Sequence, residues 1–204
     1  MNLTEVSALT FSIQAFVTLL VILDPPGATP IFLGLVADKS KRERVQLAWQ
    51  AALVSLLVIA FFSLFGRLIL DYMNVSIEAL QAAGGLLLLY VSLELLTGRD
   101  MGDGVGKDRN IALVPLGTPL LAGPGAIVAT MIFVQQIDSP TKSLGLIAAV
   151  VAVHIVIAVS LMASTTILAI IKDAGVTLLA RIAGLLLAAI AVQMLADAIS
   201  AFTA

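Results

Sequence analysis

Apolar runs long enough to cross a bilayer recur through this chain, separated only by short charged turns. They fall at about 8–36, 45–64, 77–96, 111–135, 143–170 and 176–198, and a transmembrane helix needs roughly 20 such residues. Only 12% of the residues are charged and 60% are hydrophobic, whereas a soluble domain carries about 25% charged residues. No soluble core of this size absorbs that much apolar surface, so the bilayer is the solvent. Lipid offers no partner for backbone N–H and C=O groups, and runs of this length satisfy them as helices. The expected fold is therefore an all-α integral membrane protein of six transmembrane helices.

Cysteine is absent, which excludes disulfides and thiolate metal sites, and neither a cofactor nor a metal is expected. The net charge of −2 gives no reason to expect a nucleic-acid partner. Met1 to Thr10 lacks the basic segment of a secretory signal. The distribution of the basic residues is more informative than their sum. With the N-terminus outside, the cytoplasmic side receives Lys39, Lys41, Arg42, Arg44, Arg99, Lys107, Arg109, Lys172 and Arg181, and the outside only Arg67 and Lys142. The excess of basic residues in cytoplasmic loops thus predicts both termini outside. Trp49 falls near the cytoplasmic end of the second span, at the depth of an interfacial ring.

The longest polar stretch, 98–110, is rich in Gly and Asp and reads as a flexible linker. It divides the chain into residues 1–97 and 111–204, and these halves resemble each other. Val21-Ile22-Leu23-Asp24-Pro25-Pro26-Gly27-Ala28 lies over Pro119-Leu120-Leu121-Ala122-Gly123-Pro124-Gly125-Ala126, with Pro-Gly-Ala shared at an offset of 98. Ala83-Gly84-Gly85-Leu86-Leu87-Leu88 lies over Ile182-Ala183-Gly184-Leu185-Leu186-Leu187 at an offset of 99, which puts Glu94 over Gln193. Three spans per half is an odd number, so the second half enters from the opposite side. The expected architecture is two inverted three-helix repeats, with the first and fourth helices discontinuous, an arrangement used by secondary transporters.

The breaks carry the functional expectation. Pro25, Pro26 and Pro124 have no N–H to donate, while Gly27, Gly123 and Gly125 permit backbone geometries and close approaches that other residues resist. Each second half-helix starts just after its break, so the amides near Gly27-Ala28-Thr29 and Gly125-Ala126-Ile127 form positive dipole ends. Two such ends meeting at mid-membrane would suit a carboxylate. The alternative is that proline and glycine merely kink closely packed helices, a reading that suits one break better than a matched pair.

The segments Leu23-Asp24-Pro25-Pro26-Gly27-Ala28-Thr29-Pro30-Ile31-Phe32 and Pro115-Leu116-Gly117-Thr118-Pro119-Leu120-Leu121-Ala122-Gly123-Pro124-Gly125-Ala126-Ile127 resemble the two signatures of the MarC family. Its members are also called small neutral amino acid transporters and are related to the LysE-type exporters. The resemblance extends over essentially the whole chain. It implies a carrier in a bacterial or archaeal cytoplasmic membrane for glycine, alanine and similar amino acids, coupled to protons or another ion. It also implies that the broken first and fourth helices hold the substrate, through Asp24, Pro26, Gly27, Ala28, Thr29, Thr118, Gly123, Gly125 and Ala126. Ala28 departs from the Asn that many members carry there, which leaves Thr29 or Thr118 to take its place, or a different substrate. The oligomeric state, a homo-oligomer included, stays open.

Three titratable residues are candidates for coupling. Asp24 stands beside the first break, where an intramembrane acid is a functional candidate by default, although Asp before Pro is also a good helix cap. Its counterpart is Ala122, so its charge is asymmetric between the halves. His154, the one histidine, sits near the middle of the fifth span and either carries protons or makes interhelical hydrogen bonds. Glu94 lies near the cytoplasmic end of the third span and either reaches the interface or takes part in coupling. No nucleophile stands with a base partner and no second carboxylate faces Asp24, so an intramembrane hydrolase is not expected. A channel and a membrane scaffold are the competing classes, and the scaffold leaves the paired breaks without a use.

Overall fold

The computed structural model describes residues 7–36, 39–98 and 122–203, all seven of its elements being helices. In chain order these are α1 (Ala8–Leu23), α2 (Pro25–Leu35), α3 (Lys41–Met73), α4 (Ile77–Thr97), α5 (Pro124–Gln135), α6 (Pro140–Met162) and α7 (Ser164–Thr203). Among the described residues five helical stretches are long and apolar enough to cross a membrane, and Gly125–Gln135 is a shorter apolar helix. The linker after Gly98 and the first half of the expected fourth span, Thr118 included, lie outside the described residues.

The helix starts are written locally. Ser7, Ser40, Ser76 and Ser139 each accept a backbone N–H of the first turn, which satisfies one of the donors that a helix start leaves unpaired. Ser40 and Glu43 complete a reciprocal capping box. Asn74 and Gly98 end α3 and α4 in the left-handed conformation, the usual way to stop a helix. At the start of α6, Lys142 reaches Asp138 at 2.5 Å and stands 5.7 Å from the Phe11 ring centroid. The Lys142 hydrogen bond holds the Asp138 carboxyl below the ordinary carboxylate range.

Two boundaries differ from expectation. The fifth span ends at Met162 instead of running to Ile170, and α7 then continues unbroken from Ser164. The residues after Ala163 are Ser164-Thr165-Thr166, whose hydroxyls compete for backbone groups and whose β-branches resist helical rotamers, so the helix is interrupted there although hydropathy continues. The second helix runs through the expected link at Arg67 as far as Met73, because that stretch contains no breaker before Asn74.

Packing follows one-sided burial at four-residue spacing. Phe11, Ala15, Leu19 and Leu23 form a buried stripe on α1, as i, i+4 positions share a helix face. They join Leu146, Ala149, Val150, Val153 and Ile157 of α6 in one core, where Phe11 meets Phe133 edge-on at 5.7 Å. Leu53, Leu57, Leu64, Leu144, Ile147 and Leu185 point outward, surface that only a lipid solvent makes costless.

The most extensive helix pair is α4 with α7, and its contacts are reciprocal. A Cβ on Gly85 would lie 3.0 Å from the Ala191 carbonyl oxygen and 3.0 Å from Leu195 Cγ. A Cβ on Gly184 would lie 3.0 Å from the Ser92 carbonyl oxygen and 3.1 Å from Leu96 Cγ. Gly85 and Gly184, Ser92 and Ala191, and Leu96 and Leu195 are each separated by 99 positions. Rising numbers on α4 meet falling numbers on α7, so the two helices run antiparallel. Small residues allow this approach, since lipid supplies no hydrophobic drive between helices and dispersion has to hold them. Gly184→Val is expected to destabilise the protein by about 1–3 kcal/mol through overpacking, seen as a lower melting temperature in detergent.

Candidate functional site

The first break is a single residue wide. Asp24 ends α1 and starts α2 with φ 41° and ψ 68°, the left-handed region that Asp and Asn tolerate better than other side chains. The backbone stays largely paired through the turn: Asp24 N–H donates to Leu20 O at 3.1 Å, and Asp24 O accepts from Ala28 N–H at 2.9 Å. Pro25 and Pro26 have no N–H to give the carbonyls of Val21 and Ile22, which lie one turn earlier. The Thr29 hydroxyl donates to Pro25 O at 2.7 Å and is buried there.

The side chain of Asp24 does not cap α2 by a hydrogen bond. Its Oδ1 is buried without a partner among the described residues, and a Cβ on Gly27 would collide with its Oδ2. An unpaired acceptor at this depth costs of order 1–3 kcal/mol. It borders a cavity of about 450 Å³ between the break, α6 and α7. The walls are apolar, from Leu20 and Val21 on α1, Val156 on α6, and Ile167, Leu179 and Leu186 on α7; the polar side chains on them are Asp24, Thr29 and Ser160.

The expected site residues are thus distributed unevenly. Asp24, Pro26 and Thr29 line the cavity. Gly27 lies under the Asp24 carboxylate, and Ala28 and Ala126 are packed in the core. At the second break Gly123 starts α5 with φ −60° and ψ 159°, and a Cβ there would meet nothing within 4 Å. A Cβ on Gly125 would instead collide with Leu88, and would stand 3.7 Å from Ile22 of α1. The two breaks are therefore neighbours joined by apolar packing, and among the described residues the cavity borders the first.

The positive helix ends offer less than two converging dipoles would. At α2, Pro25 and Pro26 carry no N–H and that of Ala28 goes to Asp24 O, while that of Gly27 lies against the Asp24 carboxylate. At α5 the N–H groups of Ala126 and Ile127 both go to Gly123 O, at 3.0 and 3.3 Å. The same prolines that break the helices strip them of donors. On the cavity walls the polar side chains are few: the Asp24 carboxylate, whose Oδ1 has no partner, the committed Thr29 hydroxyl and Ser160.

His154 belongs to a different contact. Its Nδ1 lies 2.7 Å from Val150 O, and a carbonyl only accepts, so Nδ1 carries the proton. Nε2 lies 3.1 Å from Ser55 Oγ on α3, which donates to the neutral ring. Val156 and Ser160 line the cavity, but position 154 lies about 200° around the helix from 156, so His154 faces α3. Glu94 is half-buried on α4 and lies off the cavity lining. The residues that the sequence did not single out are the walls, Ile167, Leu179, Ile182, Ala183 and Leu186. They are ordinary span residues, and only the packing of α7 distinguishes them from lipid-facing ones.

Apolar helices of bilayer length, outward-facing leucines and a cavity beside a broken helix define a multi-pass helical membrane protein. The profile described as MarC family integral membrane protein matches residues 9–203, and the chain belongs to that family. It is similar to a UPF0056 membrane protein of Methanocaldococcus jannaschii, 36% identical over 199 residues and covering 94% of this chain and 97% of the relative. A UPF0056 membrane protein of Archaeoglobus fulgidus is 33% identical over 200 residues, with 94% and 93% covered. The UPF0056 membrane protein YvbG of Bacillus subtilis is 29% identical over 199 residues, with 91% and 92% covered. No solved structure matches the chain.

The hydrogen bonds of His154 predict a structural role. His154→Ala leaves Ser55 without its partner and opens a void, and is expected to cost about 2–4 kcal/mol of stability in thermal unfolding. The conservative His154→Gln, which can still bond Ser55, should recover part of that loss; no recovery would mean that the Ser55 contact is not what His154 contributes.

Proposed function

We propose that this protein is a secondary carrier of small neutral amino acids in the cytoplasmic membrane, working by alternating access around the Asp24 break. The observation that carries this reading is a roughly ligand-sized cavity, about 450 Å³, bordered by a buried carboxylate oxygen with no partner. Pockets for small molecules run from roughly 300 to 1,000 Å³ and combine apolar walls with a few polar groups. A substrate ammonium supplies what Asp24 lacks. The family membership makes a membrane protein of this type the context, and substrate and coupling are the reading added here.

Inverted repeats support alternating access, because two similar halves can exchange conformations. The reciprocal contacts of Gly85 and Gly184 are those expected of a two-fold relation at an offset of 99. The halves nevertheless differ in state. Thr29 and Ala183 stand on the cavity. Their counterparts are Ile127, at the offset of 98 that aligns the breaks, and Gly84; beside Ile127, Val128 Cγ1 would be 2.5 Å from a Cβ on Gly84. Among the described residues one half borders the volume and the other shows close packing of Val128 on Gly84, as in a carrier open to one side. With the basic loops cytoplasmic and both termini outside, the open side is the inner one. Asp24 is the carboxylate on the cavity and takes the coupling role, by pairing with the substrate ammonium or with a proton.

Two experiments test the reading. Asp24→Asn keeps a side chain that tolerates the left-handed turn and removes the charge. Counterflow of labelled amino acid in proteoliposomes should fall at least tenfold while the melting temperature changes little; equal loss of both would make Asp24 a purely structural residue. Cysteine pairs report the exchange of states. Thr29→Cys with Ala183→Cys should crosslink only when the cavity closes, and Val128→Cys with Gly84→Cys only when the opposite side is shut. Substrate should change the two yields in opposite directions. Uptake without trans-acceleration, together with single-channel currents, would overturn the carrier in favour of a channel.

A further inference from the structure

We infer that the cavity selects neutral solutes carrying an ammonium and an aliphatic body of valine or leucine size, in preference to glycine; this rests on the carrier reading above. Two observations on the page lead there. The first is the wall. Leu20, Val156, Ile167, Leu179, Ile182 and Leu186 surround a volume of about 450 Å³, and glycine has no side chain to cover any of them. Each buried methylene favours the larger solute by roughly fourfold in affinity, so the walls discriminate upward in size until the volume is filled.

The second is the inventory of donors and acceptors. Asp24 Oδ1 has no partner, and Pro25 cannot donate to Val21 O. Asp24 and Val21 both line the cavity, and the Asp24 oxygen is an acceptor waiting for a donor. Donors are few, since Thr29 Oγ1 is committed to Pro25 O and Ala28 N–H to Asp24 O. An ammonium, with three donors and no acceptor, answers that arrangement directly. A carboxylate finds chiefly the Ser160 hydroxyl, so it adds less to binding than the ammonium does. The ammonium seats the solute at the break and the aliphatic body reaches along α7.

Competition against labelled-leucine counterflow in proteoliposomes tests this. The half-inhibitory concentration should rise from leucine through valine and alanine to glycine, with at least tenfold between the ends. Leucine's aliphatic amine, 3-methylbutylamine, should compete, and 4-methylpentanoate, which keeps the body and carboxylate but lacks the ammonium, should not. Ala183→Leu narrows the cavity and should move the preference several-fold toward alanine, and Val156→Ala should move it the other way. Glycine competing as well as leucine, or the acid as well as the amine, overturns the inference and leaves the carrier standing. If labelled glycine shows counterflow and leucine does not, the inference likewise falls; if neither does, the carrier reading falls with it.

Discussion

A backbone in hydrocarbon has to find its own hydrogen-bond partners, and the rest of this structure depends on how that is met at Asp24. The chain breaks a helix in mid-span with two prolines, which removes two donors outright. The left-handed turn at Asp24 limits the loss: its N–H still closes α1 on Leu20 O and its C=O still opens α2 on Ala28 N–H. The donors that the prolines lack are those that Val21 O and Ile22 O would have met, so the loss falls on acceptors. A broken helix built in this way is therefore a cation-seeking element, whatever the sign of the dipole at its start. The side chain of Asp24 adds to that bias instead of neutralising it, since Oδ1 finds no donor of the protein's own.

The second break solves the same problem differently, and the difference sets the asymmetry of the molecule. Gly123 turns the chain in an ordinary extended conformation and carries no acid. The space beside Gly125 is filled by Leu88, and that beside Gly84 by Val128. Volume at one break is thus matched by tight apolar contact at the other, while α4 and α7 keep their reciprocal register between them. A register held by glycines against carbonyl oxygens is short-range and stiff, so it suits a pivot around which halves exchange packing better than a surface that slides.

Much of this was legible in the residues. The apolar runs gave five of the described membrane-length helices, and Asp24-Pro25-Pro26-Gly27 marked the first break to within a residue. The family resemblance rested on those same signatures and holds over residues 9–203. The end of α6 was not legible, because Ser164-Thr165-Thr166 is too short a polar run to interrupt the hydropathy of the span around Ala163. Nor were the cavity walls: Leu186 borders the open cavity at 48% exposure, while Leu185, its neighbour, is off the lining at 64%. Both are leucines in an apolar helix, and only the position of α1 and α2 decides between them. The partnership of Ser55 with His154 was similarly hidden, since the hydroxyl that satisfies an imidazole in mid-membrane comes from another helix.

His154 and Asp24 together show why an intramembrane titratable group is not by itself a coupling site. Both lie in spans and both are shielded, yet one has each of its polar atoms matched and the other does not. A ring with Nδ1 donating to Val150 O and Nε2 accepting from Ser55 has no reason to change state during the cycle proposed above, because any change breaks bonds already made. A carboxylate with a bare oxygen on a cavity gains partners whenever a cation arrives and loses them when it leaves. Binding energy that differs between two states is what drives a conformational equilibrium, and among the described groups Asp24 is placed to supply it.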